Sequence, residues 1–240
     1  IDDMNAVVEG ILALLAPSGV FVMETSYALD VFRDCLIDTI YHEHISYFLV
    51  RPLAAFFARH GLELFHVERV ATKGGSIRLM VQRRNGGRPV DGSVTQELAD
   101  EARAGMDRRE TLKDMARRID AIRIDLAEML SADVAAGRGI AGYGASVGTQ
   151  VLIHQLGLGR FLGYVIDDQP LKDLLSGPDF RLPIVPADRL YADRPNSVVV
   201  LAWRYADGII GRHREYLRGG GRFIIPLPRL SVIDEHNEVK

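Results

Sequence analysis

Ile140-Ala141-Gly142-Tyr143-Gly144-Ala145-Ser146-Val147-Gly148-Thr149 is the stretch whose reading decides the fold of the carboxyl-terminal half. Residues 140–142 read as the end of a strand, residues 142–148 as a glycine-rich turn, and residues 149–156 as the helix that follows. Strand, glycine turn and helix amino terminus gather backbone N–H groups and a helix dipole around an anion. Downstream, residues 162–166, 197–202 and 222–225 read as buried strands. Residues 182–185 read as a short edge segment and 206–217 as a helix. Alternating strands and helices predict a parallel sheet. The spacing Gly142-x-Gly144-x-x-x-Gly148 is close to a dinucleotide fingerprint without matching it, and Asp167 and Asp168 end the next strand where a ribose would be met. An NAD(P)-binding, oxidoreductase-like domain and a non-catalytic nucleotide-binding module therefore both stand as readings of this half.

Upstream, residues 94–136 read as helical. Leu112, Met115, Ile119, Ile122, Leu126 and Met129 recur at spacings of three and four, a narrow apolar stripe between charged faces. Unbroken, such a helix would reach about 60 Å at roughly 1.5 Å per residue; Gly105 is the expected break. A connector laid across two domains is the favoured role, and a dimer seam the alternative. The first 92 residues begin with an amphipathic helix, Ile1, Met4, Val7, Val8, Ile11, Leu12, Leu14 and Leu15 forming its apolar face. It stops at Pro17-Ser18-Gly19. Residues 20–25 read as a buried strand, 52–60 as a short helix, and 63–70 and 76–83 as strands flanking Gly74-Gly75. The expected fold is α/β: the end of a Rossmann-like domain over 1–92, a long joining helix over 93–136, and a second Rossmann-like parallel-sheet domain over 137–240. Opening without methionine inside a formed helix face, the chain reads as part of a longer protein.

Bulk properties narrow the function classes. At 240 residues with 48% hydrophobic and 25% charged content, the chain has the composition of a globular protein. A net charge of -3 argues against nucleic acid as the main partner, and no apolar run approaches a membrane span. The lone Cys35 makes no disulfide framework, so a cytoplasmic setting is expected and the thiol reads as packed and inert.

The chemistry concentrates in Asp38-Thr39-Ile40-Tyr41-His42-Glu43-His44-Ile45-Ser46-Tyr47-Phe48, which neither alternates as a half-buried strand does nor runs apolar. Three readings compete. The histidines are structural; or His42 and His44, sharing a face in extended backbone, begin a metal site that no further ligand at proper spacing completes; or a histidine oriented by a neighbouring carboxylate serves acid-base chemistry.

Tyr41-His42-Glu43-His44, followed by Ser46-Tyr47-Phe48, resembles the signature of S-adenosylmethionine-dependent C-methyltransferases acting on nucleotide-linked keto sugars in deoxysugar biosynthesis. Gly74-Gly75-Ser76-Ile77-Arg78, the stretch 142–149, Ala202-Trp203-Arg204-Tyr205 and Gly219-Gly220-Gly221-Arg222-Phe223-Ile224-Ile225-Pro226-Leu227-Pro228 agree in order. The resemblance implies His44 as the base next to the keto group, Glu43 orienting it or bonding the sugar, and Tyr41 contacting the sugar or its enolate. It implies substrate contacts from Ser46, Tyr47, Ser76, Arg78, Gly142, Tyr143, Gly144, Ala145, Ser146 and Lys172, the last as phosphate counter-charge. It implies S-adenosylmethionine as cofactor, with its glycine-rich loop upstream of Ile1 and zinc only in an amino-terminal module, and a nucleotide-diphosphate sugar as partner. Lys73 stands where the family often has histidine, and Asp173-Leu174 departs from the family's loop. Neither the sugar nor the oligomeric state is legible.

Overall fold

A computed structural model describes residues 1–169 and 173–236. The chain divides into two compact units, one of residues 1–33 and 42–115, the other of residues 34–41 and 116–240.

In the first unit, helix α1 (Met4–Leu14) starts at Asp3, whose carboxylate accepts the amides of Asn5 and Ala6 at 2.9 and 3.1 Å. Strand β1 (Phe21–Ser26) and helices α2 (Ala28–Arg33) and α3 (Val50–Arg59) follow, then strands β2 (Leu62–Val70) and β3 (Ser76–Arg83) and helix α4 (Gly92–Arg103). The sheet runs β1-β3-β2, with β3 antiparallel to both neighbours. Leu62, Leu64, Val67, Ile77, Leu79 and Val81 fill one face with Val8 of α1, Leu53 and Phe57 of α3, and Val94 of α4. Each such side chain contributes about 1.5–3 kcal/mol by leaving water. Leu64 and Val67, three apart, both reach the core because the ladder shifts register between Leu64 and His66. The expected burial of β1 is corrected: Val22 is 51% exposed, because one face of this antiparallel sheet is left open.

The helical reading of 94–136 holds with its break. Gly105 adopts φ 65 between α4 and helix α5 (Arg109–Ala135), a left-handed turn suited to glycine. The division between units falls inside α5. Ile122, Leu126 and Leu130 are buried, whereas Leu112 is 54% exposed and does not join the expected stripe.

The second unit holds strands β4 (Ile140–Tyr143), β5 (Val165–Asp167), β6 (Leu174–Gly177), β7 (Phe180–Pro186), β8 (Ser197–Val200), β9 (Arg222–Ile225) and β10 (Ser231–Ile233). Helices α6 (Thr149–Gln155), α7 (Arg189–Asp193), α8 (Ala206–Arg212) and α9 (Arg214–Arg218) connect them. The order β10-β9-β8-β4-β5-β7-β6 has five central parallel strands and an antiparallel strand at each end. This mixed α/β sheet is compatible with the Rossmann-like expectation, and the strand order reverses between the parallel neighbours β4 and β8, where ligands of such sheets gather. Two details differ from the sequence reading. β7 lies inside the sheet, since β6 pairs along its outer side, and the helix over 206–217 is broken at His213. Asp133 of α5, fully buried, accepts hydrogen bonds from Ser197 Oγ at 2.5 Å, Arg222 at 2.9 Å and Arg138 Nε at 2.9 Å.

Candidate functional site

The segment before Tyr41 belongs to the second unit although the chain around it belongs to the first. Cys35 turns it with φ 51 and is buried, and residues 37–39 form one 3-10 turn in which Thr39 Oγ1 donates to the Leu36 carbonyl at 2.7 Å. Asp38, 7% exposed, receives both terminal nitrogens of Arg204, one of them at 3.1 Å, and Trp203 Nε1 at 3.2 Å. A fork of this kind fixes direction as well as distance.

Residues 41–47 form turns and irregular backbone rather than a core element. His42, Glu43 and Ser46 are exposed, Tyr47 is 36% exposed, and Tyr41 and His44 are half-buried. The exit is fixed inside the first unit: Phe48 bridges to Tyr27, and its carbonyl accepts the Ala28 amide at 2.9 Å. Leu49 gives α3 no side-chain cap; Glu101 of α4 supplies one instead, accepting Val50 N at 2.5 Å and Arg51 N at 3.0 Å. Tyr27 donates to Glu101 at 2.9 Å and Glu97 at 3.2 Å. Its burial, then the nearby Glu101, push the phenol's pKa upward. Gly75, at φ 141, closes the same corner: its carbonyl accepts the Tyr27 amide at 3.2 Å, and a Cβ there would lie 2.6 Å from Asp30.

The other residues singled out in the first unit already have partners. Ser76 is buried and its hydroxyl donates to the Thr72 carbonyl at 3.1 Å. Arg78 spans the open face of the sheet, paired with Glu24 and Glu68 at 2.9 Å each.

In the second unit each glycine of the 142–148 turn answers a packing demand. A Cβ on Gly142 would meet Leu201 at 2.6 Å; on Gly144, at φ 99, Ala202 at 2.3 Å; on Gly148, the Asp38 carbonyl at 2.6 Å. The Ala145 amide donates to Asp167 at 2.7 Å, and the other oxygen of Asp167 accepts Gln169 N at 2.9 Å. Ser146 bonds to Thr149 through its amide at 3.0 Å and its hydroxyl at 3.1 Å. Beside the turn lies a cavity of about 580 Å³ whose walls include Ser146, Gln150, Asp167, Leu175, Ile184 and Tyr205.

Tyr143 points elsewhere. Fully buried, it donates to Asp168 and lies 2.8 Å from His213 Nε2, while His213 Nδ1 lies 2.9 Å from the Tyr191 hydroxyl. Arg212 closes the group against Asp168 at 2.6 Å. Burial lowers the His213 pKa and raises that of Tyr143. Sequence reasoning missed this cluster, because His213 sits in a helical stretch and its partners are 70 and 22 residues distant. Lys172 lies outside the described residues, as does the side chain of Lys73. Among the described residues, no group of three or more His, Cys, Asp or Glu side chains is placed to hold a metal ion, and no helix is long and apolar enough to cross a membrane.

Residues 71–228 match the C-methyltransferase C-terminal domain, and the chain belongs to that family. It is similar to the C-methyltransferase NovU of Streptomyces niveus, 35% identical over 234 residues, which cover 97% of this chain and 56% of the relative. The chain thus spans about half the length of the curated relative it matches.

Proposed function

We propose that the chain forms part of an S-adenosylmethionine-dependent C-methyltransferase acting on a nucleotide-linked keto-deoxysugar, with His44 as the base. The observation that carries this reading is the conformation of residues 41–47: a turn with exposed and half-buried polar groups, fastened at both ends. A structural histidine cluster would be sealed in packing, and this one is not.

His44 takes the proton from the carbon beside the keto group. Histidine is the side chain most often used for such a transfer. Glu43, its neighbour in the chain, orients the imidazole or bonds the sugar, and Tyr41 contacts the sugar or the developing enolate oxygen. Ser46 and Tyr47 line the same exposed turn. S-adenosylmethionine, the methyl donor implied by the family, is not cradled by the glycine turn at 142–148, whose glycines and Ala145 amide are already engaged. The same engagement argues against an NAD(P) site there. The cavity beside that turn, whose walls include the ring of Tyr205 and the side chains of Gln150 and Gln169, suits the nucleoside end of the substrate.

By domain, residues 1–92 correspond to the end of the methyltransferase domain, 93–136 to the connecting helices, and 137–240 to the nucleotide-sugar-binding domain. Support comes from β1 and β2 running the same way around β3, with the outer edge of β1 unpaired among the described residues. A cytoplasmic setting accords with the buried Cys35 thiol.

The test is isotope exchange. In the full-length protein, His44→Asn should abolish solvent deuterium uptake at the carbon next to the keto group while leaving substrate affinity unchanged; retained uptake removes His44 from the role. A thymidine-diphosphate sugar should raise the melting temperature and NADH should not.

A further inference from the structure

We propose that Asp38 is a positioning residue for the Tyr41–His44 stretch, holding it through Arg204, Trp203 and Gly148; the proposal rests on the reading of His44 as the base. Three independent features of the second unit meet at this one turn. The carboxylate of Asp38 is buried and receives the guanidinium of Arg204 through both terminal nitrogens. Arg204 itself lies over Trp203, its Cζ 4.4 Å from the ring centroid, and Trp203 donates its indole N–H to the same carboxylate. The Asp38 carbonyl lies where a side chain at position 148 would be, so the turn seats against the glycine-rich loop only because residue 148 has none. Gly148 has an ordinary helical backbone, φ -72 and ψ -13, which any residue adopts; space, not conformation, is what demands glycine there.

Tyr41 follows Asp38 by three residues and His44 by six. At most roughly 3.5 Å of chain per residue separates them, so an anchor at Asp38 restricts where the phenol and the imidazole can travel. Proton abstraction from carbon is sensitive to such restriction, since misplacement by about 1 Å from a distant change costs on the order of 100-fold. Asp38 touches no reacting atom in this scheme; it acts through the backbone it holds.

Four variants separate this from a merely structural role: Asp38→Asn, Asp38→Glu, Trp203→Phe and Gly148→Ala. The last leaves every charge in place and displaces only the turn. Hydrogen exchange on the full-length protein should show the amides of residues 39–44 exchanging at least 10-fold faster in Asp38→Asn and Gly148→Ala, with β8 and β9 still protected. Trp203→Phe should give a smaller effect, and Asp38→Glu should recover part of the protection. In the full-length protein, solvent deuterium uptake into the keto sugar should fall about 10- to 100-fold in Asp38→Asn and Gly148→Ala, with the KM for S-adenosylmethionine within about 2-fold and the pH profile unmoved, because the base is unchanged. Wild-type uptake rates in both variants, or unaltered exchange at residues 39–44, would overturn the proposal while leaving His44 as base. Absence of uptake in the wild type would instead remove the base reading, and the positioning role with it.

Discussion

The carboxylate of Asp167, at the end of β5, accepts the amide of Ala145 in the middle of the glycine-rich turn at 2.7 Å. A phosphate approaching that turn would meet a carboxylate where an open amide is needed. The same carboxylate also receives Gln169 N, so it ties together the ends of β4 and β5. Hydrogen bonds to a charged acceptor are worth about 1.5–3 kcal/mol when made and partly buried. Asp167→Ala should therefore lower stability by about 2 kcal/mol in urea unfolding, with the slope unchanged. It should not create NADH binding, because Gly142, Gly144 and Gly148 remain packed against Leu201, Ala202 and Asp38. NADH binding by the variant, detected as quenching of its fluorescence, would restore the dinucleotide reading.

Glycines that both sit at positive φ should differ sharply in tolerance. Gly144 (φ 99) and Gly157 (φ 63) are both left-handed, but a Cβ at 144 would lie 2.3 Å from Ala202 whereas nothing stands within 4 Å at 157. Gly157→Ala should cost about 1 kcal/mol, the strain of the left-handed region alone. Gly144→Ala should cost more than about 3 kcal/mol, because β4 and the segment after β8 must separate. Chemical denaturation of the two variants side by side checks the ranking.

Much of the second unit was legible because its signals are local. Residues 197–202 and 222–225 are apolar runs bounded by turns, and both appear as interior parallel strands. Gly105 broke the helix where glycine is favoured. The misread elements depend on partners distant in sequence. β7 looked like an edge because nothing near residues 182–185 announces β6 beside it. β1 looked buried because an apolar run does not reveal that its sheet is antiparallel and open on one face. At the candidate site, the density of polar groups at 41–48 was visible, whereas the anchors were not: Arg204 lies 166 residues from Asp38 and Glu101 lies 51 from Val50. Tyr143 was assigned by its place in the turn, and β4 aims it instead at His213.

His213 should give the protein an acid limb. Its imidazole is buried between the Tyr143 and Tyr191 hydroxyls, and the charges of Asp168 and Arg212 act on it. Burial lowers its pKa; Asp168 opposes that and Arg212 adds to it. Unfolded, the ring titrates near 6.5. Above that pH it is neutral in both states and contributes no pH dependence. Below it the unfolded chain binds a proton that the folded chain resists, so stability falls as pH drops through about 6.5. His213→Gln should lose stability at pH 8 through its broken hydrogen bonds, but should lose less than the wild type between pH 7.5 and 5.5. Equal slopes for the two proteins in that window would show that His213 protonates without cost in the fold.

Asp133 should be the costliest single charge in the second unit to remove. It is fully buried at the end of α5 and gathers Ser197, Arg222 and Arg138. Burial pushes its pKa up, but the hydrogen bonds and the Arg222 charge outweigh that and hold it below the usual carboxylate value. The stability it contributes is present above the unfolded pKa near 3.9 and is lost as pH falls toward the lower folded value. Asp133→Ala leaves the partly buried Arg222 without its counter-charge, though still bonded to Ser197, a change of the kind that costs about 3–5 kcal/mol. Arg138→Ala removes a partner that is 45% exposed, so it should cost below about 1 kcal/mol. The double variant Asp133→Ala/Arg138→Ala should match Asp133→Ala alone, since Arg138 has no other role in the cluster. Additive losses in thermal unfolding would mean that Arg138 supports α5 through something other than this carboxylate.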